Sequence, residues 1–443
     1  MQVADSPQGP SSVVAPDNGW SSVTRVAFGF FCGYALLVWL PWTLGVGLNW
    51  FFALGQWSIT RVFQLPDHYV PSSTASNFLA SYTATLLVSV FSGIAAVAWA
   101  VLDTRETTHR KVFPWLHTAV RYGLAYHMLV YGLSKVVPAQ FGRFVAGGGT
   151  DYLIHQVGQL PPRDLLWAFM EASRSYQVFT GLVEVAGGLL LLPRSTAALG
   201  ALVSTVALTN VVLLNVSYDV SVKFWAGQLL LMAAFVVAPY GRGLPAGLAN
   251  YWRGTKRRDR IPRLFRNSRA DVAARVIGVL VAIGLTASAY RAMQRVVVDN
   301  QSIPQTPLHG IWDVEEITRA GIPVPLVITD ASLWRRLVLP WSGTNAGAIV
   351  VWMSDAVTRC NSSIDVDAKT IALGPFSAER TVTGSVRSAP QDLPPLEFTF
   401  ELTGKDRLTL YGKTDGGEPL AIRLRLFESS RYPLIKHRPE WTW

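Results

Sequence analysis

The stretch WRGTKRRDRIPRLFRNSR, residues 252–269, lies after one apolar run and directly before another. Cations concentrated between two lipid-soluble segments are the pattern of a cytosolic loop joining membrane spans. The rest of the composition agrees. Half of the 443 residues are hydrophobic and only 15% are charged. The mean hydropathy of +0.27 is well above the balance of a soluble globular chain. The net charge of +10 falls largely within this loop. Its placement beside predicted spans favours anionic headgroups, at roughly 1 kcal/mol per cation, over nucleic acid as the partner.

Working outward, seven stretches approach the roughly 20 apolar residues that a helix needs to cross hydrocarbon. They are residues 26–46, 81–102, 112–133, 178–192, 197–214, 224–240 and 272–290. With the N-terminus in the cytosol, Arg105, Arg110 and Lys111, then Arg194, then the 252–269 run all fall on the cytosolic side. An odd number of spans leaves everything after about Arg291 on the opposite face, outside the cell or in a periplasm. Residues 45–63 read as an interfacial helix because Asn49, Gln56 and Arg61 interrupt the apolar run and its tryptophans suit the headgroup zone. Residues 1–24, rich in Pro, Ser and Gly with no basic start, read as a disordered cytosolic tail. Between about residues 138 and 174, the turn signals GGG (147–149) and PPRD (161–164) predict short helices outside the membrane.

Beyond a Pro-punctuated linker at residues 296–307 the period changes from 3.6 to 2. AIVVWMS, TVTGSV, LEFTFEL, RLTLYG and LAIRLRLF alternate apolar and polar positions between Gly, Asp, Asn and Pro clusters. Residues 308–443 therefore predict an all-β barrel or sandwich. The triplet Gly310-Ile311-Trp312 at its first strand resembles the Gly-x-Trp start of lipocalin-like barrels. Trp312, Trp334, Trp341 and Trp352 are expected in the core before any ligand wall. The two cysteines, Cys32 in the first span and Cys360 in the β region, make no disulfide framework. The tail RYPLIKHRPEWTW fits either an interface-hugging segment or a final strand.

The third span is unusually polar. At 100° per residue, His117, Arg121, Met128, Tyr131 and Lys135 lie within about 40° of one line, with His127 beside Tyr131. A cation in mid-bilayer costs roughly 2.5–3.5 kcal/mol, so this line should face helices or water. Arg121, His127, Tyr131 and Lys135, together with Glu184 in the fourth span, form the candidate intramembrane site. Glu184 is expected to pair with Arg121 or His127, while Gly181, Gly187 and Gly188 allow close helix approach. Either a structural ion pair or a quinone or proton site accounts for these residues. The hairpin NVSYDVSVK, residues 215–223, sets Asn215, Tyr218, Asp219 and Lys223 at a candidate external mouth. The sequence has no phosphate-binding loop, GxGxxG, HExxH or CxxC, and its histidine spacing builds neither a haem nor a zinc site. No cofactor or metal is therefore identifiable, though a quinone fits the membrane residues.

The segments RYGLAYHMLVYGLSKVVPAQF (121–141) and GLVEVAGGLLLLPRSTAALGALVSTVAL (181–208) resemble the DoxX-like membrane family. The resemblance rests on Gly132 and Lys135 followed by Pro138, on Glu184 with Gly187 and Gly188, and on the basic turn at Arg194. It covers roughly residues 112–240 and implies a four-helix core in a bacterial cytoplasmic membrane, in a family named from a subunit of a thiosulfate:quinone oxidoreductase. Two extra spans before that core, a seventh after it and the β region depart from the family pattern. Two functions follow as expectations. One is a membrane-anchored binding or scaffold protein presenting an extracytoplasmic β domain to an apolar ligand or protein partner, within a transmembrane domain of residues 25–295. The other is a redox-associated subunit in which Arg121, His127, Tyr131 and Glu184 serve a quinone or protons.

Overall fold

The computed structural model describes residues 20–46, 48–64, 74–103, 107–137, 140–141, 151–243, 264–265, 267–302, 306–340, 344–378, 395–414, 416–428 and 432. TVTGSV, Trp341, most of the basic 252–269 run, residues 1–19 and nearly all of the C-terminal tail lie outside these. The helices are α1 (Ser22–Thr43), α2 (Asn49–Trp57), α3 (Thr74–Leu102), α4 (Thr107–Val136) and α5 (Asp151–Ile154). They continue as α6 (Pro162–Ala172), α7 (Arg174–Leu191), α8 (Ala197–Ser217), α9 (Lys223–Val237) and α10 (Ser268–Ser302).

All seven stretches read as spans fall on helices. Among the described residues, α1, α3, α8, α9 and α10 are long and apolar enough to cross a membrane, so this is a membrane protein. The other two, α4 and α7, carry Arg121, Lys135 and Glu184. The α2 helix, extended by one π-turn at Ser58–Val62, spans about 21 Å at 1.5 Å per residue, short of a roughly 30 Å hydrocarbon core. Two boundaries differ from the reading above. Ser21 caps α1 through Thr24 N at 3.2 Å, so the helix starts inside the expected tail. At the other end α10 runs on to Ser302 and takes up half of the expected linker, because VVVDNQS contains no helix breaker before Pro304.

The chain packs as two units. One comprises Met1–His127, Leu189–Thr209 and Ser221–Ala282. Here small residues bring α1 onto α3: a Cβ on Gly29 would lie 3.1 Å from Ala96, and one on Gly33 3.3 Å from Ser92 Oγ. Gln228 of α9, buried in this apolar setting, accepts from Tyr34 Oη and Trp39 Nε1, each at 3.0 Å. The two donors satisfy an amide oxygen that would otherwise cost a lost hydrogen bond in lipid.

The second unit comprises Met128–Gly188, Asn210–Val220 and Ile283–Trp443. Its β strands are β1 (Gly310–Arg319), β2 (Ile322–Val324), β3 (Trp334–Leu339), β4 (Thr344–Trp352), β5 (Val357–Asp365), β6 (Thr370–Ala378), β7 (Leu396–Thr403), β8 (Arg407–Lys413) and β9 (Pro419–Leu426). Sequential neighbours pair antiparallel from β3 to β9, and β1 pairs with both β3 and β9. Closure of β1 on β9, from Trp312 opposite Leu426 to Arg319 opposite Leu420, makes a barrel of eight strands with β2 as a flap on β1. Alternation sends Cys360 and Ile364 of β5, Phe398 and Phe400 of β7, and Leu408 and Leu410 of β8 inward. Trp312, Trp334 and Trp352 are core residues, as expected from the sequence. Trp312 Nε1 donates to Leu308 O at 2.8 Å, and Trp352 Nε1 to Thr358 Oγ1 at 2.8 Å.

Cys360 sits in this core at 4% exposure, and burial pushes its thiol up to about 12. A maleimide near neutral pH should leave Cys360 unmodified until the barrel unfolds, because the thiolate is the nucleophile. Mass spectrometry of the labelled chain checks this, and full modification of the folded protein would contradict the packing. The side of the membrane is better reported by a cysteine placed at the exposed Asp367.

Candidate functional site

Most of the polar line on α4 is buried, but it does not converge on one centre. Between Arg121 and Lys135 the helix rises about 21 Å, and each cation has its own partner. Lys135 Nζ donates to Glu184 Oε1 at 2.5 Å, with both side chains buried. The expected pairing of Glu184 with Arg121 or His127 is therefore corrected. One turn before each charge sits a glycine: a Cβ on Gly132 would lie 2.7 Å from Gly181 O, and one on Gly181 2.6 Å from Gly132 O. The two backbones meet at these glycines, and the i+3 spacing then sets Lys135 and Glu184 on the same side of the crossing. Lys135 also lies in the last turn of α4, where the helix dipole favours a cation.

Arg121, only 4% exposed, donates through Nη1 to Leu191 O at 3.0 Å and Leu192 O at 3.3 Å. These are carbonyls that the end of α7 leaves without helical donors. At the opposite end of the pair, Arg174 Nη2 donates to Val136 O at 2.6 Å, so each helix receives an arginine cap from the other. His117 bonds through Nε2 to Val236 O at 3.1 Å, at the end of α9. His127 stacks on Trp42 with centroids 4.0 Å apart and lies 3.3 Å from Thr43 Oγ1. Tyr131, on the line expected to face helices or water, is 37% exposed.

The residues assigned to an external mouth mainly build a turn. Asp219 takes a left-handed conformation (φ 51°), and Val220 N donates to Asn215 O at 2.9 Å, ending α8. Tyr218 packs with Phe141, Leu166, Met170 and Val220 under α6, and Lys223 is the first residue of α9. Asn215 is buried.

Sequence reasoning did not find the seat of α5. Ile154 and Leu153 lie against Ile311, Val338, Ile349 and Val351 on the outer wall of the barrel. Around them Arg336 Nη1 donates to Leu153 O at 3.1 Å, Gln156 Nε2 to Asp355 Oδ2 at 3.1 Å and Gln159 Nε2 to Asp355 O at 3.3 Å. Arg335 also pairs with Asp355. The α4–α7 connection therefore packs directly on the barrel. The available signal was the apolar alternation of outward positions on β3 and β4, which a solvent-facing wall would not show.

A set of lipid-length helices carrying a closed antiparallel barrel defines the class: a membrane protein with a β-barrel domain. No family model matches the chain. It is 33% identical over 121 residues to the uncharacterized protein YwoB of Bacillus subtilis (strain 168), a match covering 26% of this chain and 71% of that protein. The chain belongs to the family of that protein. No solved structure matches it.

Proposed function

We propose that this protein is a membrane-anchored scaffold that offers the outside of its barrel to a protein partner on the extracytoplasmic side of a bacterial inner membrane. In this reading α1, α3, α4, α7, α8, α9 and α10 span, residues 112–240 form a DoxX-like core, and the barrel is lipocalin-like in its Gly-x-Trp start. The observation that carries it is the packed interior: Trp312, Leu337, Leu373 and Leu410 are fully buried against one another's neighbours in a single cluster. An apolar ligand inside would have to displace them, at roughly 2–5 kcal/mol per large side chain moved. The outer wall, by contrast, already receives α5 as a docked segment. At the β2 flap and the turn after it, Ile322, Val327 and Ile328 stand 70%, 46% and 78% exposed within seven residues, an apolar rim suited to a protein contact.

The redox reading has less behind it, since Glu184 is already engaged by Lys135. A photo-crosslinker at position 328 of the full chain, in native membranes, should yield one discrete protein adduct, with none from position 367. Adducts to lipid alone, or a stoichiometric lipid extracted from the purified chain that protects Trp334 and Trp352 from quenching, would overturn the scaffold reading.

A further inference from the structure

We propose that α6 is an interfacial helix whose outward apolar side lies among lipid acyl chains just beneath the headgroups. Its depth follows from what it sits on. Leu166 and Met170 of α6 pack with Phe141 and Val220, and Leu214 and Tyr218 close against them. Leu214 falls in the last turn of α8, and Tyr218 follows its final residue. These residues and α6 belong to one packed unit. At 1.5 Å per residue α8 (Ala197–Ser217) is about 32 Å long, the thickness of a hydrocarbon core, so its ends lie where acyl chains meet headgroups. In the same last turns Leu213 and Val216 stand exposed on a helix of lipid length, so hydrocarbon reaches the height at which α6 is seated.

The pattern of α6 suits that height. At 100° per residue, Leu165, Leu166, Phe169 and Met170 cover an arc of about 140°, and Asp164 and Glu171 lie opposite its middle. Half of the arc is spent on protein, through Leu166 and Met170. The other half faces away: Leu165 is exposed, and Phe169 is 58% exposed. A helix with acids on one side and a wide apolar arc on the other is stable at the membrane boundary, with the arc in hydrocarbon. The outward half also runs on along the protein. Phe169 meets Tyr176 edge-on at 5.5 Å, and Tyr176 lies 6.4 Å from Phe179, which with Leu182 stands exposed on α7. One apolar surface therefore passes from α6 onto the flank of α7, and lipid covers such a surface at less cost than water. The position also matters for the barrel. Gln159 is still bonded to Asp355, and only Leu160 and Pro161 separate it from α6, so a helix seated in the boundary holds the barrel next to the bilayer.

The test uses the full chain in vesicles of phosphatidylethanolamine and phosphatidylglycerol, carrying one nitroxide label at Leu165→Cys, Phe169→Cys or Asp367→Cys. All three positions are exposed, so the packing is preserved. The parent chain, whose two cysteines are buried, supplies the background. Collisions with oxygen, which concentrates in hydrocarbon, should outweigh collisions with a water-soluble nickel chelate several-fold at 165 and 169, and the order should reverse at 367. Nickel outweighing oxygen at 165 and 169 would place α6 in water and overturn the proposal. Low access to both reagents, or dipolar broadening between labels on two copies, would overturn it as well, by showing that protein covers this side. The scaffold reading is tested at position 328 and stands or falls separately.

Discussion

Replacing Lys135 with methionine is expected to destabilise the helical part by about 3–5 kcal/mol, the usual cost of leaving one member of a buried ion pair alone. Glu184 is 4% exposed in α7, and without Lys135 Nζ its carboxylate faces an apolar helix interface. The reciprocal Glu184→Gln should cost less, because the stranded ammonium sits in the last turn of α4, where the dipole supports it and its long stem can reach toward the headgroups. The Lys135→Met, Glu184→Leu double variant should recover most of the loss, since an apolar pair of similar volume carries no desolvation penalty. Unfolding in mixed detergent, analysed as a double-mutant cycle, checks all three. Additive losses would mean that the two residues act separately. The same Glu184→Gln chain should bind quinone no differently from the parent, and a large change there would revive the redox reading.

The second large effect lies one turn away. Gly132→Leu should abolish folding of the helical part, and Gly132→Ala should cost about 1–3 kcal/mol or more. The added Cβ meets Gly181 O at 2.7 Å and Val185 N at 2.8 Å, both backbone atoms that no rotamer change can move aside. Gly181→Ala meets Gly132 O at 2.6 Å and should behave alike. Because helices forced apart also lengthen the Lys135–Glu184 contact, the charge substitutions should lose most of their effect in a Gly132→Ala background. Yield of monodisperse protein and thermal unfolding report the first effect, and the cycle repeated in that background reports the coupling. Full additivity would show that the glycine crossing does not position the charges.

Much of the fold was legible because its signals are local. The seven apolar runs fall on helices, and LEFTFEL, RLTLYG and LAIRLRLF fall on β7, β8 and β9, since both hydrocarbon length and period-2 alternation can be counted along the chain. The site was legible only as an inventory. Arg121, Lys135 and Glu184 were marked because charges in lipid need partners, but Glu184 was matched to Arg121 or His127 and not to Lys135. Periodicity gives the face a residue occupies and not the height at which the neighbouring helix crosses it. The Gly132–Gly181 contact sets that height, and it assigned Lys135 to Glu184 and left Arg121 to cap α7.

By itself the sequence determined the division into lipid-soluble helices and a terminal β region, because burying apolar surface and satisfying backbone groups in hydrocarbon depend on residues near one another in the chain. Tertiary structure decided what those residues do to each other. The barrel closes only when β1 meets β9 across about a hundred residues, α5 finds its seat only on the finished wall of β1, β3 and β4, and α6 finds its own only where α8 ends. Contacts between segments far apart in sequence depend on packing distances of a few ångströms, and no local pattern encodes such distances.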